Sequence, residues 1–74
     1  MTPAQCRAAR AMLEMTQPDL GGRAGVGLST VVDFERERRA VSAGSVSKLR
    51  AALEAAGVEF LDNGAGPGVR LRKA

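Results

Sequence analysis

The chain has 74 residues, with 11 Lys and Arg against 8 Asp and Glu, no His, one Cys and two Phe as its whole aromatic content. That length allows one domain, and without His or a second Cys there is neither a proton shuttle near neutral pH nor an imidazole or thiolate cluster for a metal, so no enzyme, cofactor or catalytic residue is expected. Two aromatics make a poor stacking platform for RNA or single strands, and a net charge of +3 permits a polyanionic partner without demanding one.

Thr2-Pro3 is a helix start, an N-cap residue followed by proline at the first helical position. Residues Ala4 to Glu14 are good helix formers, and Cys6, Ala9 and Leu13 make a narrow inward stripe. Met12 and Met15 read as packing residues, and Cys6 as a core thiol. Thr16-Gln17-Pro18-Asp19 is a second start, with Thr16 as cap and Asp19 completing a capping box. Leu20 and Ala24 face inward from that helix. Gly21 and Gly22 each cost about 1 kcal/mol relative to alanine in a helix, which implies that small size is needed there for close helix contact. Gly25 is the stop.

A third helix is expected over 28–37. Val31 and Phe34 form its inner edge, while Leu28, Ser29, Val32, Asp33 and Arg36 lie on the opposite face. Ser42 starts a fourth helix through about Ala56, with Val46, Leu49 and Leu53 as its core stripe and Gly57 as its stop. Beyond it, Val58/Phe60 and Val69/Leu71 alternate with polar residues around the glycine-rich loop 62–68. That pattern reads as a small hairpin or, in the plainer alternative, as a tail. The expectation is a single domain over 1–74, helical over about 3–57, with hairpin or tail over 58–72.

Two short helices joined through Gly25-Val26-Gly27 have the pattern of a DNA-binding helix-turn-helix. Counted from Gln17, the inward positions hold Leu20, Gly21, Ala24, Val26, Val31 and Phe34, each small or apolar as the motif requires. A plain four-helix domain with an ordinary glycine turn is the alternative.

On these residues the chain resembles the lambda-repressor-like, Xre-type helix-turn-helix regulators of bacteria and phages. The resemblance covers about residues 3–60 and is most specific in Thr16-Gln17-Pro18-Asp19-Leu20, Ala24-Gly25-Val26, Ser29-Thr30-Val31 and Asp33-Phe34-Glu35-Arg36. It implies an all-α, compact four-helix fold, here with a short C-terminal hairpin, that binds double-stranded DNA at an inverted-repeat operator as a homodimer. Leu28, Ser29, Val32 and Asp33 match the family's base-facing positions, and Gln17 matches its phosphate-contacting glutamine. Thr30, Arg36, Arg38 and Arg39 fall where its members run beside the DNA backbone. Arg10 and Glu35 match its buried ion pair. Three departures stand out: Gly27 where a hydroxyl or amide cap is common, apolar Leu28 and Val32 at base-facing positions, and Glu37 in place of a frequent glycine.

The chemistry agrees with that placement. A glutamine at a helix N-terminus can donate to phosphate beside free backbone N–H groups. Ser29 and Asp33 can hydrogen-bond base edges, with Asp33 accepting from cytosine N4, while Leu28 and Val32 can meet thymine methyls. Against this, the Leu28/Val32 face could instead cover a partner protein, in the manner of an antitoxin or co-regulator. The arginines could be a solvated face paired with Glu35 and Glu37, and Arg70, Arg72 and Lys73 read as solvated. Apolar runs of only a few residues predict no membrane span and no signal peptide. A lone thiol fits a reducing cytoplasm, and no small-molecule ligand is evident.

Overall fold

Three of the four helices start where a side chain caps them. Thr2 accepts the Gln5 backbone N–H while the Gln5 side chain accepts the Thr2 N–H, and Thr16 and Asp19 repeat this reciprocal box. Ser42 accepts from the Ser45 N–H. The computed structural model describes residues 1–72. In chain order they form α1 (Pro3–Leu13), α2 (Gln17–Ala24), α3 (Leu28–Glu35), α4 (Ala43–Ala55), β1 (Val58–Asn63) and β2 (Gly66–Leu71).

The helix ends account for the differences from expectation. α1 and α3 both close in a Schellman turn, in which a residue past the helix bonds back to a carbonyl five residues earlier. In α1, Glu14 takes φ 53° and Met15 N–H bonds the Arg10 carbonyl. In α3, Glu37 takes φ 55°, its N–H bonds the Phe34 carbonyl, and Arg38 N–H bonds the Asp33 carbonyl. α3 therefore stops at Glu35, two residues before the expected end. Glu37 holds the left-handed position that glycine would fill without strain.

One core joins all four helices to the hairpin. Cys6 and Ala9 from α1, Met15, Leu20 from α2, Val31 from α3, Leu49 and Leu53 from α4, and Val58 from β1 are buried together. Leu13, Ala24, Val26, Phe34, Phe60 and Val69 pack around them. Full burial of one such leucine stabilises by about 1.5–3 kcal/mol. α2 packs against α3 and α4, while α1 packs against β2, α3 and α4. Of the two methionines read as packing residues, Met15 is buried and Met12 is exposed.

The expectation of an all-α class is corrected: four helices stand with a two-stranded antiparallel sheet. β1 and β2 pair from Val58↔Leu71 to Asn63↔Gly66, so the connection is only Gly64-Ala65 and the expected seven-residue loop is mostly strand. This hairpin is structural, because Val58 is 1% exposed within the core and Phe60 and Val69 pack against it. The buried Gln5 side chain also donates to the carbonyls of Leu61 and Gly68, at 3.1 and 3.0 Å, tying α1 to both strands. Short strands of mixed glycine and proline concealed that contribution, since their pairing depends on a helix more than 50 residues away. Among the described residues no helix is long and apolar enough to cross a membrane.

Candidate nucleic-acid interface

The turn between α2 and α3 is shaped by two glycines. Gly25 has φ 72°, and its N–H and that of Val26 both reach the Gly21 carbonyl. A Cβ on Gly21 would lie 3.0 Å from the Val26 carbonyl oxygen and 3.5 Å from Val31 Cγ2, so the turn packs tightly on α2 and any side chain there would require the backbone to give by a few tenths of an ångström. Gly22 is different: a Cβ there would meet nothing within 4 Å, which corrects the expectation that both glycines serve close contact. Gly27 precedes α3 with extended backbone and no side-chain cap, as its lack of a hydroxyl dictates.

α3 is held from behind by Val31, Phe34 and Glu35. Its opposite side carries Leu28 and Ser29, both exposed, then Val32 and Asp33, both half-buried. Leu28 is 49% exposed, more than any other large apolar side chain described. Thr30 lies half-buried at the edge of this row. Arg36 and Arg38 are exposed and make no side-chain hydrogen bond or ion pair among the described residues. Arg39, by contrast, donates Nε to Asp33 Oδ2 at 2.7 Å and Nη1 to the Ala40 carbonyl at 3.3 Å. Arg39 thus shares a surface with the row and is already engaged with an acid in it, while Arg36 and Arg38 follow the end of α3 as exposed cations. Spacing along a helix could not reveal a pair six residues apart, because the Schellman turn folds the chain back between them.

The Glu35 carboxylate is the polar centre behind α3. At 1% exposure it receives Arg10 Nε on Oε2 and Arg10 Nη2 on Oε1, both at 2.7 Å, a bidentate pair. Gln17 Nε2 donates to Oε1 at 3.0 Å and the Cys6 thiol to Oε2 at 3.2 Å. Arg10 Nη1 reaches the Met15 carbonyl at 3.0 Å, and Arg7 Nη1 donates to the Glu35 backbone carbonyl. Burial pushes the Glu35 carboxyl up, but the donors from Arg10, Gln17 and Cys6 outweigh it and hold the group below its ordinary range. Burial, then the bond to Glu35, pushes the Cys6 thiol up to about 12, so it stays protonated as a donor.

The expected pairing of Arg10 with Glu35 is therefore present. Gln17, matched to phosphate contact, spends one side-chain N–H on Glu35 and keeps the other. Its role in this network and that of Cys6 left no trace in the sequence, where the two residues sit on different helices and each has a sufficient local explanation. Arg70 pairs with Glu59 at 2.8 Å, and Arg72 donates to the Glu54 carbonyl at the end of α4. Lys73, read with them as solvated, lies outside the described residues. No model of a known protein family and no curated protein matches the chain.

Proposed function

We propose that the chain binds double-stranded DNA as a small transcriptional regulator, with α3 in the major groove. The observation that carries this reading is the outward row Leu28, Ser29, Val32 and Asp33 on a helix clamped from behind, flanked by unpaired Arg36 and Arg38. Base edges are met by that row, and the two arginines supply sequence-independent attraction to phosphate. Gln17 adds a donor at the start of α2 with its remaining side-chain N–H, and Thr30 adds a hydroxyl at the edge of the row. One such helix covers only a few base pairs, so the chain acts as a homodimer on an inverted repeat with half-site centres about 34 Å apart. A protonated, buried Cys6 fits a reducing cytoplasm.

The test is selection of duplexes from a randomised pool, followed by binding of the selected duplex at two salt concentrations. A selected sequence whose affinity falls steeply with salt is the expected result. Arg36→Ala and Arg38→Ala should each weaken binding to all duplexes and flatten the salt slope by roughly one. Ser29→Ala or Val32→Ala should change the preferred base at one position by about 1–3 kcal/mol. No selected sequence, with a protein partner captured through Leu28 and Val32 and indifferent to salt, would favour the protein-docking reading of the same face.

A further inference from the structure

Asp33 stands in the outward row of α3, yet its carboxylate is not left bare. Arg39 returns over the Schellman turn to donate Nε to Oδ2 at 2.7 Å, and is itself steadied by the Ala40 carbonyl. Asp33 Oδ1 and Arg39 Nη2 have no partner among the described residues. The Asp33 side chain is 20% exposed and Arg39 54%, so the acid is set into the surface and the base lies over it. An exposed pair of this kind adds little to stability, and nothing in the core depends on it.

An unpaired carboxylate facing a duplex is repelled by phosphates. Paired, it is neutral overall and fixed in direction. We propose that Arg39 is a specificity-determining residue that acts through Asp33, an inference that rests on the DNA-binding reading above. Arg39 cancels the charge that would keep Asp33 from the groove and occupies Oδ2. Oδ1 is left as the acceptor with both lone pairs open to an exocyclic amine, which in the major groove is best met by cytosine N4. Arg36 and Arg38, which face no acid, serve as phosphate contacts. Arg39 is a positioning residue for a base reader.

The experiment measures anisotropy titrations of the full chain on the duplex it selects and on all single-base variants of that duplex. Arg39→Ala is expected to cut discrimination about tenfold at one base position, the same position that Asp33→Ala affects. Placed in the Asp33→Ala background, Arg39→Ala should change discrimination there by about twofold or less, the signature of two residues acting as one unit. Thermal melting of every variant should match the parent chain, which separates this outcome from unfolding. If Arg39→Ala instead weakens all duplexes equally in both backgrounds and lowers the salt slope by about one, Arg39 is a phosphate anchor. The proposal is then overturned while DNA binding stands. A parent chain that selects no duplex overturns both.

Discussion

Glu35 concentrates more of the design than any other side chain. Three groups on α1 and α2 donate to its carboxylate, so α3 is positioned by hydrogen bonds whose geometry is far narrower than that of apolar contact. Glu35→Ala strands Arg10 beside the core and should cost about 3–5 kcal/mol in urea unfolding, against less than about 1 kcal/mol for an exposed pair. Replacing Arg10 and Glu35 together by apolar residues of matching volume should recover most of that loss. The acid dependence follows from the same group. Its folded pKa lies below the ordinary value of 4.5, so its contribution is complete above that pH and is lost as pH falls through the folded value. Unfolding free energy should decline below about pH 4.5 in the parent chain, and Glu35→Ala should flatten that decline.

Neighbouring glycines in α2 make opposite predictions. Gly22→Ala puts a methyl into open space and should stabilise by about 1 kcal/mol, seen as a rise in Tm. Gly21→Ala drives its Cβ against the Val26 carbonyl, a backbone atom that cannot swing away, and should cost about 1–3 kcal/mol. Sequence alone treats the two as equivalent. The difference arises because Gly21 faces the turn into α3 and Gly22 faces solvent.

Helix ends decide what α3 can present. Glu37 pays for its left-handed backbone at about 1–2 kcal/mol, part of which glycine would return as extra freedom in the unfolded chain. Glu37→Gly should therefore raise stability by about 0.5 kcal/mol, read from Tm, without moving α3. The hairpin depends on α1 in a different way. Gln5→Ala removes half of the first capping box and both side-chain bonds to the strands, and should cost about 1–3 kcal/mol. Amide exchange should quicken first in β1 and β2, because those bonds tie both strands to α1.

With extents of 30 × 26 × 19 Å, one molecule presents a single short helix of the kind proposed to read DNA. Two copies side by side reach the spacing of successive major grooves, which is why a two-fold arrangement suits this size. Sedimentation in the presence of the selected duplex should show two chains per site, and one chain per site would remove the dimer from the proposal.

Capping residues, turn glycines and the apolar stripes of the four helices are local, and they were legible because each rests on neighbours within four residues. Thr2, Thr16 and Ser42 mark starts, Gly25 marks a stop, and Cys6, Ala9, Leu20, Val31, Leu49 and Leu53 face the core as their spacing requires. The Arg10–Glu35 pair was expected through family resemblance and not from spacing, since the residues lie 25 apart. What local pattern could not supply was the reach of polar side chains across elements. Gln5 to the strands, Gln17 and Cys6 to Glu35, and Arg39 back to Asp33 all depend on where separate helices come to lie. The class of the fold turned on the same point. Strands 58–63 and 66–71 carry a weak pattern alone, and they become part of the domain because Val58 fills the core while Gln5 satisfies their backbone. Hydrophobic spacing specifies which face turns inward, but only the assembled core determines which polar groups meet behind it.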